Sequence, residues 1–302
     1  MSAVADVTVA IATLDRPAAL GRCLDALLSG QRLPAEVVVV DQGRDRGAEA
    51  VVENTRRGPV SIRYIHQERR GLSASRNAAL RHAGCAVVAV TDDDCVPAIT
   101  WIANLERAFA ASAAPDAVTG RVLALGPEAA GLHVIAARED TARVAYRGRT
   151  LPWYVGSGNN YAIKRDWYAR LGGCDERLGV GSPGQAAEDM DLFYRLLRQG
   201  ACICYEPEVV VYHERQDDTR RLATRWSYGY GMGAFCSLYL RRRDPYAAYV
   251  LTRWLLHHTR ELAGALVARD SWSARQRVLS LGGTMRGLVY GLRVAPRAPA
   301  VC

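Results

Sequence analysis

The feature that most constrains the fold is residues 86–97, AVVAVTDDDCVP, in which an apolar run leads directly into three consecutive carboxylates. A short apolar run that ends at a turn signal is typical of a strand buried on both faces, as in a parallel sheet. Open α/β sheets bind ligands beyond the carboxyl ends of their strands, where Asp92, Asp93 and Asp94 are therefore expected. Three adjacent negative charges need a compensating cation. Oxygen ligands suit Mg²⁺ or Mn²⁺, which in turn hold phosphates, although a solvated acidic turn is the alternative.

Strands and helices alternate over the first half of the chain. Apolar runs predict strands at residues 7–13, 36–41, 60–66 and 86–90. The segments between them have helical spacing, and we expect Pro17 to open the first helix and Ser73 to cap a later one. This alternation indicates βαβ units and an α/β fold with a mostly parallel central sheet flanked by helices. Farther along, a helix is predicted at 190–198 and two strands at 202–205 and 209–213.

Polar residues also follow the first two predicted strands. Thr13 and Asp15 come after the first and Asp41 after the second, so they are expected at the same sheet edge as the three aspartates. Asp41 alone is equally typical of a turn. The chain lacks GxGxxG after its first strand and lacks GxxxxGK[ST], so a bound nucleotide is not held in either of those glycine cradles. A metal ion bridging a diphosphate would replace them.

Charge is distributed unevenly along the 302 residues, whose formal net charge is +8. Residues 214–302 carry 15 basic and 6 acidic side chains, and the remainder of the chain is close to neutral. This pattern indicates an anionic partner, which is a membrane surface, a nucleic acid or an anionic substrate, or else a solvated arginine-rich face. The eight cysteines form no CxxC pair, so neither a zinc site nor a disulfide framework is expected. Without a signal peptide pattern or a long apolar window, the expected location is cytoplasmic.

Six short motifs occur in order along the chain: IATLDRP (11–17), VVVDQG (38–43), GLSASRNAAL (71–80), DDD (92–94), GGCDE (172–176) and ED (188–189). Together they resemble the family 2 glycosyltransferases of the GT-A fold. Leu14, Gln42 and Cys174 stand where that family usually has an aromatic residue, a second aspartate and another aromatic residue. The resemblance implies a GT-A domain over residues 1–215, with a nucleotide-binding half (1–97) and an acceptor half (98–215). A basic, mainly helical extension would occupy residues 216–302.

The resemblance also implies an activity, the transfer of a sugar from a nucleoside-diphosphate sugar to an acceptor hydroxyl with inversion. UDP or dTDP is the favoured nucleotide. The implied nucleotide-sugar contacts are Thr13, Asp15, Asp41, Arg76, Asp92 and Asp93, and the implied ligands for Mg²⁺ or Mn²⁺ are Asp92, Asp94 and His213. Asp189 is the implied general base and Glu188 its neighbour that orients the acceptor. Carboxylates in the first turn of a helix also have a purely structural explanation, since they favour the helix dipole.

The acceptor is expected to bind in the second half of the chain. Trp153, Asn159 and Asn160 are the expected contacts, because amides bind sugar hydroxyls, although this glycine-rich segment is also typical of a turn. Residues 225–235 are predicted to form a flexible loop over the donor. Residues 246–268 and 278–292 are predicted to be amphipathic helices, which either bind at the inner face of the membrane or pack on the core. The expected acceptor is a glycan, a lipid-linked molecule or a small molecule.

Two other functions are compatible with parts of this pattern. A sugar nucleotidyltransferase would share the fold type and the metal–carboxylate site, and would release pyrophosphate instead of a nucleoside diphosphate. A non-catalytic protein that binds membrane or nucleic acid would use only the basic C-terminal region. The chain has no recognised nucleic-acid-binding motif.

Overall fold

The computed structural model describes residues 4–55, 58–68, 71–111 and 113–295. Its strands are β1 Val4–Thr13, β2 Leu33–Asp41, β3 Ser61–His66, β4 Val87–Asp92, β5 Cys95–Pro97, β6 Ala117–Ala124, β7 Leu132–His133, β8 Val144–Tyr146, β9 Asn160–Lys164, β10 Ile203–His213 and β11 Gln216–Asp217. Its α-helices are α1 Pro17–Leu28, α2 Gly47–Thr55, α3 Leu72–His82, α4 Trp101–Phe109, α5 Arg165–Leu171, α6 Glu188–Arg198, α7 Asp218–Leu240, α8 Pro245–Val267 and α9 Ser271–Arg293.

One large sheet organises the molecule, in the strand order β3-β2-β1-β4-β9-β6-β10-β5, with β8 paired to β10. The strands from β3 to β4 are all parallel, as the βαβ pattern predicts. Beyond β4 the sheet is mixed, because β9 runs antiparallel to both β4 and β6. The α/β fold predicted from the sequence is confirmed, and the carboxyl ends of β1, β2 and β4 lie side by side.

Both faces of the sheet are covered, which explains why its strands are uninterrupted apolar runs. Val37 and Val39 of β2 belong to one core cluster, with α1 and α4, whereas Val38 and Val40 belong to a second cluster, with α3 and α6. Alternate residues of a strand point to opposite faces, so a strand covered on both sides has no polar face.

The chain between residues 202 and 213 is one strand instead of the two that were predicted. β10 pairs with β6 throughout, but the register shifts between Glu206 and Val210. Pro207 lies in this interval and has no N–H to donate to the ladder, so a bulge interrupts the pairing there and the pairing resumes at Val210. Beyond the bulge, His213 pairs with Cys95, the residue that follows the three aspartates.

The predicted cap of α3 is wrong. Gly71, with a φ of 127°, precedes the helix, and the Ser73 hydroxyl donates instead to the Leu178 carbonyl oxygen at 2.7 Å. Ser73 therefore connects α3 to the segment that leads into α6.

The prediction of a flexible loop at residues 225–235 is also wrong, because that segment lies inside α7. The glycines allow contact between helix backbones. A Cβ added at Gly233 would lie 2.0 Å from the Thr284 carbonyl oxygen, and one at Gly287 would lie 1.9 Å from the Tyr230 carbonyl oxygen. α7 and α9 thus pack backbone to backbone, and burial in this pair compensates for the low helix propensity of glycine.

Three long helices, α7, α8 and α9, form the C-terminal region. Within the described part of the chain, no helix has both the length and the apolar character needed to cross a membrane. The domain boundary predicted at residue 215 falls between β10 and β11 and stays a prediction.

Candidate active site

The carboxylates that follow β4 have polar partners on β1 and on the turn after β1. The Thr13 hydroxyl donates to Asp93 Oδ2 at 2.8 Å. Arg16 Nη1 lies 3.3 Å from Asp93 Oδ1 and 2.8 Å from Asp94 Oδ2. Burial, followed by the negative charge of Asp94, raises the pKa of Asp93 to about 6. This part of the site thus accumulates negative charge that one partly exposed arginine compensates.

Asp94 faces His213 across the end of the sheet, with Asp94 Oδ1 3.4 Å from His213 Nε2. His213 Nδ1 lies 2.8 Å from the Glu214 carbonyl oxygen, which can only accept, so Nδ1 carries the proton. In the neutral imidazole, Nε2 then presents a lone pair toward a carboxylate oxygen. A protonated Nε2 would instead pair with Asp94 directly. In the neutral form a cation can bind between the two groups, and carboxylate with imidazole suits Mn²⁺. Cys95 also lies within 4.8 Å, but it offers a soft ligand and is fully buried.

Arg76 joins the sheet edge to α6. Its Nη1 donates to Glu188 Oε1 at 2.8 Å, and its Nη2 donates to the Gly158 carbonyl oxygen at 2.7 Å and to Asp92 Oδ1 at 3.2 Å. The side chain is only 3% exposed. A guanidinium with several donors in a rigid fork can hold three acceptors from three segments at once. Arg76 therefore fixes the position of Glu188, and with it the start of α6, against β4.

Glu188 and Asp189 occupy the first turn of α6, where Ala187 precedes the helix with a φ of 70°. Asp189 Oδ1 accepts from the Met190 N–H at 2.8 Å. A Cβ added at Gly158 would lie 3.0 Å from Asp189 Oδ2, so glycine permits this close approach. Burial raises the pKa of both carboxyls, and Arg76 opposes the increase. A raised pKa makes a carboxylate a stronger base.

A cavity of about 250 Å³ lies between these elements. Of the residues predicted for the site, it is lined by Arg76, Asp92, Trp153, Asn159, Glu188, Asp189 and His213. Asp94 adjoins it through His213. A second, more open cavity of about 620 Å³ shares Ala137, Arg138 and Trp153 with the first. The structure therefore brings the predicted base, the predicted metal ligand His213 and two predicted acceptor contacts to one cavity.

Asp15 and Asp41 lie outside this cavity. Asp41 is 1% exposed and its two oxygens accept from the Gly43 N–H and the Tyr64 hydroxyl. Asp15 Oδ1 accepts from the Arg44 N–H at 2.8 Å. Both carboxylates therefore shape the loop after β2, and a contact with a nucleotide base stays a prediction.

The prediction that Asn160 binds an acceptor is wrong. Its amide nitrogen donates to the carbonyl oxygens of Arg121 and Val209, and its amide oxygen accepts from Trp101 Nε1 at 2.9 Å. The side chain is fully buried in the sheet, and both amide protons are used. Asn160 is thus a structural residue that holds β9 against β6 and β10.

Asn159, the preceding residue, differs from Asn160 in its hydrogen bonding. It is 3% exposed, and its Oδ1 has no hydrogen-bond partner among the described residues, although it lines the cavity. A buried amide oxygen without a partner is costly unless a ligand supplies the missing donor. Trp153 lines both cavities, its ring held 5.8 Å from that of Trp254.

Sequence analysis did not identify Tyr228 as a site residue. Tyr228 projects from α7 into the cavity, and burial together with the charges of Asp189 and Glu188 raises its pKa. The only signal was an aromatic side chain within a glycine-rich stretch of the basic C-terminal region. Helix α7 is therefore part of the site.

Comparison with solved structures identifies the fold. A mannosyltransferase from Pyrobaculum calidifontis, solved with GDP-Man and Mn²⁺, is similar with a TM-score of 0.61 and 18% identity, over 95% of this chain and 87% of the other. Residues 1–349 of Staphylococcus aureus TarS are similar with a TM-score of 0.60 and 15% identity, over 93% and 80% of the two chains. The fold is thus that of the GT-A glycosyltransferases.

The family follows from the sequence comparison. The model of the family described as "Glycosyltransferase like family 2" matches residues 5–229, so the chain belongs to that family. The pre-mycofactocin glycosyltransferase of Mycobacterium tuberculosis H37Rv is 28% identical over 96% of this chain. A glucosyl-dolichyl phosphate glucuronosyltransferase of Haloferax volcanii is 24% identical over 95% of each chain. The present chain spans 57% of the length of the M. tuberculosis protein.

Proposed function

We propose that this chain is a metal-assisted glycosyltransferase that moves a sugar from a nucleoside-diphosphate sugar to an acceptor hydroxyl with inversion. The observation that carries the proposal is the shared cavity, which Asp189 and His213 line together with Arg76, the residue that binds Glu188. Membership of the glycosyltransferase family and the nucleotide sugar bound to one structural neighbour support it. UDP and dTDP are the proposed nucleotides.

Asp189 is the proposed general base. In a direct displacement, the acceptor oxygen attacks the anomeric carbon, the bond to the nucleoside diphosphate breaks, and the acceptor proton passes to Asp189. The Met190 N–H holds Asp189 in place, while burial keeps its carboxyl a stronger base than one in water. Glu188 acts through Arg76, which fixes the start of the helix.

A divalent cation, Mn²⁺ or Mg²⁺, fits the end of the sheet. Asp94 and His213, together with Asp92, are the proposed ligands, and the 3.4 Å distance between His213 Nε2 and Asp94 Oδ1 supports this assignment. The ion would neutralise the charge of the diphosphate leaving group.

The acceptor is proposed to enter past Trp153, since that ring lines both cavities. The partnerless oxygen of Asn159 would accept a hydrogen bond from an acceptor hydroxyl. A sugar ring has both the apolar face that packs on an aromatic ring and the hydroxyls that an amide binds.

Titration calorimetry with UDP, dTDP and GDP, each with and without Mn²⁺, tests the donor site. We expect metal-dependent binding of one nucleotide that is lost in Asp94→Asn and retained in Asp25→Asn, an exposed control with the same change in charge. Turnover that releases pyrophosphate would instead identify a nucleotidyltransferase. Failure of every nucleotide to bind at millimolar concentration would contradict the proposal.

Peripheral contact with an anionic membrane is proposed for the C-terminal helices. Val278, Met285 and Leu292 share one exposed face of α9 at helical spacing. Arg286 and Arg293 border that face, and residues 214–302 carry the excess positive charge. Exposed apolar side chains bordered by arginine are typical of interfacial helices.

Cosedimentation with vesicles tests this membrane contact. We expect binding to vesicles that contain anionic lipid, weaker binding to zwitterionic vesicles, and loss of binding in Met285→Glu. Equal binding to both kinds of vesicle, or no effect of Met285→Glu, would contradict the proposal.

A further inference from the structure

Three arginines that the proposed mechanism does not use converge where α7 and α9 meet. Arg221 Nε and Arg225 Nε both donate to the same oxygen, Gln276 Oε1, at 3.1 and 3.2 Å. The next residue of α9, Arg277, lies 3.5 Å from His258 Nδ1. We refer to Arg221, Arg225 and Arg277 as the arginine cluster.

Positive charge in the arginine cluster is largely uncompensated. Within the described residues, Arg221 and Arg225 form no ion pair, and Arg277 pairs with Glu261 at 3.3 Å. The carboxylate of Glu261 is half-exposed. Because the Nε atoms of Arg221 and Arg225 share one acceptor, they lie within about 6 Å of each other, inside the screening length of physiological salt. Like charges held this close and partly buried destabilise the fold unless an anion binds between them.

Burial and the excess positive charge lower the pKa of basic groups in the cluster and next to it. Burial, together with the charges of Arg221 and Arg277, lowers the pKa of Arg225 to about 10. Burial, followed by the charges of Arg277, His257 and Arg225, lowers the pKa of His258 to about 3, so this histidine stays neutral and adds no charge. The positive charge available to bind an anion in this cluster therefore comes from the arginines alone, and His258 contributes none.

The arginine cluster lies close to two residues that line the active-site cavity, Tyr228 and Ala136. Arg225 lies one helical turn before Tyr228, which lines that cavity, and its charge acts on Tyr228 directly. Arg221 Nη1 donates to the Val134 carbonyl oxygen at 2.6 Å, two residues before Ala136, which also lines the cavity. An anion bound to Arg225 would thus lie about one helical turn from the lining residue Tyr228.

We propose that Arg221, Arg225 and Arg277 bind a phosphate group of a substrate at the edge of the active-site cavity. This inference rests on the proposed function for the identity of the cavity. Guanidinium groups bind phosphate oxygens through paired, charge-assisted hydrogen bonds, and Nη1 and Nη2 of Arg225 have no partner among the described residues. The phosphate has two possible sources, the diphosphate of the donor and a phosphate on the acceptor. Arg76, the arginine predicted for the diphosphate, is already occupied by Glu188 and Asp92.

Calorimetric titration of the full chain with inorganic phosphate, in the presence of a metal chelator, tests the proposal. We expect the double variant R221Q/R225Q to bind phosphate at least about tenfold more weakly, since each charge-assisted hydrogen bond contributes measurably to affinity. The matched control is Arg220→Gln, an exposed arginine on the same helix. Arg225→Lys, which keeps the charge and loses the fork, should bind with intermediate affinity and provides a second, milder variant.

Equal phosphate affinity in the double variant and the wild type would overturn the proposal, as would an equal loss in Arg220→Gln. UDP titration in the presence of Mn²⁺ separates the two sources. A donor phosphate predicts that R221Q/R225Q weakens UDP binding in parallel, whereas an acceptor phosphate predicts unchanged UDP binding. If the wild type bound no nucleotide, the proposed function would fail, while the phosphate measurement would still decide the role of the cluster.

Discussion

Replacing Arg76 by methionine tests the central contact of the site. The change removes the guanidinium that neutralises Glu188, whose side chain is 8% exposed, and Asp92, whose side chain is 26% exposed. Removing one partner of a buried ion pair costs about 3–5 kcal/mol, because the other charge is left unpaired. Glu188 is the more buried carboxylate and should account for most of the loss. The lost hydrogen bond to the Gly158 carbonyl oxygen adds about 1 kcal/mol.

The loss should depend on pH in a defined direction. Burial raises the pKa of Glu188 above its usual range, and without Arg76 the increase is larger. The folded variant then binds more protons than the unfolded chain above the ordinary pKa of glutamate, so its stability falls as pH rises through that window. We therefore expect a loss of about 4 kcal/mol near pH 7.5 and a smaller loss near pH 5.

Urea unfolding of the metal-free protein at the two pH values measures this difference. Arg81→Met, on the exposed face of the same helix, is the control and should change the free energy of unfolding by less than about 0.5 kcal/mol. A loss below about 1 kcal/mol for Arg76→Met, or the same loss at both pH values, would refute the assignment of Arg76 as the charge that holds α6 to the sheet.

Three further predictions concern the packing of α7 on α9, the proposed general base and the two adjacent asparagines. Gly287→Ala should destabilise the protein by about 1–3 kcal/mol in thermal or urea unfolding, because its Cβ would meet the Tyr230 carbonyl oxygen, whereas Gly264→Ala, with nothing within 4 Å, should be neutral or stabilising. Asp189→Asn should lower turnover about 10²–10⁴-fold with unchanged nucleotide affinity, and wild-type turnover should fall as the pH drops through a base pKa above the usual aspartate range. Asn160→Ala should lower unfolding free energy by about 2–4 kcal/mol, whereas Asn159→Ala should mainly raise the KM for acceptor.

The nucleotide side of the fold could be predicted because its determinants are local. The strand that ends in Asp92 is a continuous apolar run, and Pro17 opens α1 at its first position. Each signal lies within a few residues of the feature that it predicts. Parallel strands also bring their carboxyl ends together, so the neighbourhood of Thr13 and Asp93 follows from topology alone.

The acceptor side could not be predicted in the same way, since its contacts join residues far apart in sequence. Asn159 and Asn160 are adjacent and chemically identical, yet one faces the cavity and the other fills a hydrogen-bonding position inside the sheet. Asn159 lies in the turn before β9 and Asn160 is the first residue of that strand, a boundary that the sequence does not reveal. The glycines of α7 were ambiguous for a similar reason. These glycines are helical because their backbone packs against α9. Since α9 lies some fifty residues later in the chain, the local sequence does not reveal this contact.

The three consecutive aspartates show how far neighbours in sequence can differ in role. Asp92 ends the strand and accepts from Arg76, so it connects the sheet to α6. Asp93 accepts from Thr13 and shares Arg16 with Asp94, which also meets His213 across the sheet edge. The three carboxylates therefore have different sets of partners, although Asp93 and Asp94 have Arg16 in common. The repeated letter in the sequence therefore encodes three different sets of contacts, and the Asp94 carboxylate beside the His213 imidazole is the proposed position of the cation.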